Sequence, residues 1–97
     1  MYRILKYELK ITDRQSILLK QFARPLAVAE QNGKLMLWAA VGTDVDATGY
    51  KYEIAVEIVG TGHSVTLNKL KPHIGSVVMS NGLVWHVFAE WKPRGED

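Results

Sequence analysis

The sequence predicts an all-β fold, a small antiparallel barrel or sandwich of about seven strands. Three observations carry this. Apolar and polar residues alternate with a period of two through most of the chain, two Asn-Gly dipeptides have the character of hairpin turns, and only one segment offers a helical period, loosely. At 97 residues, 47% hydrophobic and 23% charged, the composition is that of one globular domain, 1–97.

Taken in order, Tyr2 to Leu9 mixes apolar and charged residues on both sides, and its β-branched and aromatic content favours a strand. Gln15 to Lys20 follows as a short strand with Ile17 and Leu19 inward; a helix from Ile11 to Phe22 is the rival, on Ile11, Ile17, Leu18 and Phe22. Asn32-Gly33 suits a two-residue type I′ turn, which needs positive φ at both positions. It sets Glu30 opposite Leu35, Val28 opposite Leu37 and Ala27 opposite Trp38. Leu26, Val28, Leu35, Leu37, Ala39 and Val41 then form a core face, with Ala27, Ala29, Met36, Trp38 and Ala40 behind it. Tyr50 to Val59 alternates most cleanly, with Tyr50, Tyr52, Ile54, Val56 and Ile58 on one face and Lys51, Glu53, Ala55 and Glu57 on the other.

The same turn geometry at Asn81-Gly82 sets Val78 opposite Trp85, Val77 opposite His86 and Gly75 opposite Phe88. Ile74, Val78, Leu83, Trp85 and Val87 share one face; Val77, Met79, Val84, His86 and Phe88 share the other. Lys92 to Asp97 reads as a frayed tail. Both hairpins are apolar on two sides, more than one small sheet buries, so a second sheet, another subunit or a ligand must cover the excess. A homo-oligomer is expected.

Several functions are disfavoured. The chain has no cysteine, hence no disulfide, thiol nucleophile or thiolate metal site. A net charge of +2 without a Lys/Arg block is too little for a nucleic-acid polymer as partner. No apolar run approaches a membrane span, and Met1 to Lys10 alternates, so a cytoplasmic protein with no membrane partner is expected. His63, His73 and His86 have no metal-ligand spacing and no His-x-Ser/Thr pairing, so neither a metal site nor a cofactor is expected, and His86 reads as a hydrogen-bonded structural histidine. Asp44-Val45-Asp46 lacks the later ligands of a calcium loop and reads as a solvated hairpin turn.

The candidate site lies elsewhere. Gly60, Thr61, Gly62, His63 and Ser64 follow the strongest strand and pack two glycines, two hydroxyls and an imidazole into five positions. Such a turn can form a nest of backbone N–H groups for an anion, or a plain turn that needs positive φ. Lys69 and Lys71 place positive charge just beyond it. Trp38, opposite and beside alanines, reads as an open platform for a planar ring or as a packing contact. Trp85 and Trp91 read as core and C-terminal packing.

Several strings resemble a family of short bacteriophage proteins catalogued as a domain of unknown function: Lys6-Tyr7-Glu8-Leu9 with Ile11 to Gln15, Gln31 to Leu35 with Leu37-Trp38-Ala39, Gly60-Thr61-Gly62-His63, Ile74-Gly75-Ser76, and Gly82 to Phe88. That family usually carries proline after the Gly-Thr-Gly-His string, where this chain has Ser64. In size and kind the chain also resembles small β-rich phage oligomers that sequester nucleotide immune signals, such as the cyclic or amino-acid-linked ADP-ribose made by TIR enzymes. This resemblance implies a non-catalytic binder of a small nucleotide ligand in an infected bacterial host, with Trp38 under the adenine, the glycine turn on the pyrophosphate, and Lys69 or Lys71 adding charge. Two other functions are weighed: an adaptor or inhibitor that lays its apolar face or a strand edge on a host enzyme, and a signal hydrolase with His63 as general base.

Overall fold

The computed structural model describes residues 1–95 as seven strands in two antiparallel sheets, packed as a sandwich and not closed into a barrel. The strands are β1 (Tyr2–Leu9), β2 (Arg14–Leu19), β3 (Ala23–Gln31), β4 (Lys34–Gly42), β5 (Tyr52–Gly60), β6 (His73–Val78) and β7 (Val84–Pro93). One sheet runs β1-β4-β3 and the other β2-β5-β7-β6. The segment that offered a helical rival is strand β2, with Leu19 buried and Ile17 packed on the core. Lys92 and Pro93, expected in a frayed tail, are paired with Glu53 and Tyr52, while residues 96–97 of that tail lie outside the described residues.

The largest fully buried side chains, Leu35, Leu37, Ile54, Val56 and Val87, all come from the inner strands β4, β5 and β7. Each contributes roughly 1.5–3 kcal/mol on burial. The layers meet where β3 packs on β6 and β7, and the approach is close: a Cβ on Gly75 would stand 2.9 Å from Val28 Cγ2.

The first hairpin has its expected register, with Asn32 (φ 53) and Gly33 (φ 78) in the left-handed region. Leu26 departs from the expected core face: a register shift between Pro25 and Ala27 leaves it 39% exposed.

The second hairpin is one residue off the expected register. Gly82 N–H donates to Met79 C=O and Met79 N–H to Leu83 C=O, and of Asn81 and Gly82 only Gly82 (φ 89) has positive φ. Asn81 instead accepts Leu83 N–H on its side-chain oxygen. The connection is therefore a three-residue turn with a bulge glycine, not a two-residue turn. Val77 pairs with Trp85, Ser76 with His86, Gly75 with Val87 and His73 with Phe88. A one-residue slip exchanges the faces of a strand. Val77 and Met79 go inward with Val87, while Val78 and Leu83, expected to share a face with Val87, are exposed. Ile74 stays packed on the core beside the register shift at His73/Gly75.

The loop carrying Asp44 and Asp46 is also not a hairpin turn, because β4 and β5 belong to different sheets. It is a crossing between layers, anchored by Asp46 N–H on Lys20 C=O.

Candidate functional site

Strands β5 and β6 are both antiparallel to β7 and so parallel to each other. Parallel strands need a long crossover, and residues 61–72 supply it. The crossover is pinned to the outer side of the four-stranded sheet by the Lys71 Nζ–Glu57 Oε1 ion pair at 2.5 Å, with side chains only 20% and 16% exposed. Part of the apolar excess on that sheet is thereby covered by the chain itself.

Between crossover and sheet lies an open cleft of about 740 Å³, in the range of small-ligand sites. His63, Ser64, Thr66 and Lys69 line it from the crossover, Arg14 and Glu57 from the strands, and Ile58, Val59, Val65 and Leu70 supply apolar wall. Glu57 is neutralised by Lys71. Arg14 and Lys69 have no side-chain partner among the described residues, against the single free carboxylate of Asp13. The lining itself balances two cations, Arg14 and Lys69, against two carboxylates, Asp13 and Glu57, and the surplus positive charge comes from Lys71, which pairs Glu57 from outside the lining.

The glycine segment itself is a β-turn. His63 N–H donates to Gly60 C=O (3.1 Å), Gly62 has φ 92, and Thr61 N–H reaches Val84 C=O (3.4 Å). Two of the amides expected to form an anion nest are therefore engaged, and the segment takes the plain-turn form. Gly60 is buried, and a Cβ there would lie 3.1 Å from both the His63 and Trp85 rings. Of the expected ligand residues, His63, Ser64 and Lys69 line the cleft; Gly60, Thr61, Gly62 and Lys71 do not.

Trp38 stands apart. It projects from the outer face of the other sheet, between Lys6 and Ala27, while its neighbours Leu37 and Ala39 are fully buried. The sandwich separates it from the cleft, so within one chain the expected union of indole and glycine turn is not formed. Arg14 and Thr66 are cleft residues that sequence reading missed, because both depend on which strand the crossover covers.

Sequence reading also missed a hydrogen-bonded chain on the outer face of β6 and β7. Thr61 Oγ1 lies 2.8 Å from His86 Nε2, His86 Nδ1 2.7 Å from Ser76 Oγ, and Ser76 Oγ 3.1 Å from His73 Nε2. His86 is thus held on both ring nitrogens, and the His73 ring packs on Phe88 at 5.2 Å. His63, weighed as a general base, forms no such pair with a hydroxyl among the described residues.

A second, smaller cleft of about 380 Å³ at the opposite end of β5 is lined by Phe22, Tyr52 and Trp91 with Lys20, Asp44 and Asp46. Trp91 stacks on Tyr52 at 5.1 Å and donates its indole N–H to Gln21 C=O, the packing role its position suggested. Among the described residues no group of three or more His, Asp or Glu is placed to hold a metal ion, and no helix is long and apolar enough to cross a membrane.

Fold and site together define an antiparallel β-sandwich with a polar cleft under a crossover connection. The chain belongs to the family described as Domain of unknown function (DUF7352), whose model matches residues 1–97. No curated protein and no solved structure matches it.

Proposed function

We propose that the protein binds a small anionic nucleotide, ADP-ribose-like in size and charge, in the cleft under residues 61–72 and holds it without cleaving it. The supporting observation is the pair of unpartnered cations, Arg14 and Lys69, facing one cavity with the hydroxyls of Ser64 and Thr66 and the His63 imidazole. Phosphate oxygens would take the cations and hydroxyls, and the base would lie on Val65 and Leu70. In this reading the chain acts as the phage sequestering proteins it resembles do, removing a nucleotide immune signal by binding alone.

Calorimetric titration with ADP-ribose, cyclic ADP-ribose and pyrophosphate tests this. Binding is expected, with Arg14→Ala and Lys69→Ala each weakening it by about tenfold or more, the cost of a lost charge-assisted hydrogen bond. Unaltered ligand should be recovered after heat denaturation. Absence of heat with every nucleotide, or recovery of cleaved ligand, contradicts the proposal.

A second reading has its own observation. On the outer face of the three-stranded sheet Tyr2 and Ile4 are 59% and 67% exposed, beside half-buried Trp38 and the small side chains of Ala27, Ala29 and Ala40. We propose this face as the contact between copies of the chain, with Trp38 serving assembly and not ligand stacking.

A further inference from the structure

We propose that Thr61 is a nucleophilic hydroxyl, activated by His86 as general base, in a site for small acyl esters. The activity is separate from nucleotide capture and does not depend on it. The arrangement rests on β6–β7 pairing. Ser76 is the register partner of His86, and His73 reaches the same serine from the other end of β6. Thr61 enters from the turn that closes β5, where the positive φ of Gly62 and the Gly60–His63 hydrogen bond fix the chain direction.

Three consecutive contacts of 2.8, 2.7 and 3.1 Å accept two consistent polarities, running from Thr61 to His73 or from His73 to Thr61, of which we propose the first. Thr61 O–H donates to His86 Nε2, His86 Nδ1–H donates to Ser76 Oγ, and Ser76 O–H donates to His73 Nε2. This is the nucleophile, base and orienting-group sequence that hydroxyl activation requires, and it is recognised by geometry and not by chain order. In this polarity Ser76 accepts Nδ1–H and leaves Nε2 free to accept, and the imidazolium formed on proton transfer keeps its Nδ1–H on Ser76. Ser76 and His73 are positioning residues.

Thr61 Oγ1 attacks the ester carbonyl carbon while its proton passes to His86 Nε2. The bond to the leaving oxygen then breaks, and that oxygen takes the proton from His86, giving acyl-Thr61 and an alcohol. Water, deprotonated in turn by His86, adds to the acyl group; Thr61 leaves with the proton returned, and a carboxylic acid is released. The N–H of Gly62, next in the chain after Thr61, has no acceptor among the described residues and can serve the oxyanion. Val59, the register partner of His86, also lines the cleft, which places one apolar residue of the cleft beside the base.

The test is incubation of the purified protein with p-nitrophenyl acetate, following nitrophenol release and mapping the acetyl group by mass spectrometry. One acetyl group on Thr61 is expected, absent in Thr61→Val. His86→Gln should slow release by about a hundredfold or more. Ser76→Ala should slow it about tenfold and Ser76→Thr should restore it, a rescue that a purely structural role would not track. Should His86→Gln fail to fold, nitrogen NMR of the native protein still decides: His86 protonated at Nδ1 and free at Nε2 supports the proposal, and the opposite tautomer overturns it. Acetyl groups confined to lysines and the amino terminus overturn it as well.

Discussion

Gly60 has room for a hydrogen and for nothing larger. A methyl there would press at 3.1 Å on two rings, of which His63 is exposed and can swing away while Trp85 is packed on the core. Gly60→Ala is therefore expected to lower stability by about 1–3 kcal/mol, read as a lower urea midpoint at unchanged slope. Asp46 makes a different kind of statement. The Thr48 hydroxyl and then its N–H donate to Asp46 Oδ1 and hold the carboxyl below its ordinary value. A carboxyl depressed in the folded state stabilises fully above its unfolded pKa, about 3.9, and loses that contribution as pH falls through the folded value. Thr48→Val should thus be less stable than the native protein near pH 6, with the difference closing as the pH is taken below the carboxylate range in urea titrations.

At the scale of elements, alternation and turn chemistry made much of the fold readable. Tyr2–Leu9 is a strand with the expected bounds, and the Asn32-Gly33 register is the expected one, because both depend on local rules. Asn81-Gly82 obeys a different local rule. Asn81 caps Leu83 N–H instead of adopting positive φ, and the register moves by one. That single step concealed the hydrogen-bonded chain, since the expected register put Val77, not Ser76, opposite His86.

The Gly75–Val28 approach was illegible for another reason, as it joins two sheets whose stacking no local pattern encodes. Gly75→Ala is expected to cost about 1–3 kcal/mol, and much of that cost should disappear in a Val28→Ala background. Equal costs in both backgrounds would contradict the contact as the cause.

On the whole molecule, the two sheets divide the candidate surfaces. The four-stranded sheet carries the cleft, the ion-paired crossover and the histidine chain; the three-stranded sheet carries Trp38 and the exposed Ile4 and Tyr2. Sequence alone could identify His63, Ser64 and Lys69 as polar residues near a turn. It could not set Arg14 against them, because Arg14 reaches the cleft only through β2 pairing with β5. If copies meet through the Trp38 face, Ile4→Lys should shift the protein to monomer in sedimentation velocity while leaving nucleotide affinity unchanged. A native protein that is monomeric at high concentration removes the assembly reading.

The most direct test of cleft binding is an amide NMR titration of the native protein with ADP-ribose. Shifts confined to Arg14, Glu57 to Val59 and His63 to Leu70 are expected. Shifts clustered on Ala27, Trp38 and Ala40 with the crossover unmoved, or no shifts at all, would contradict the account.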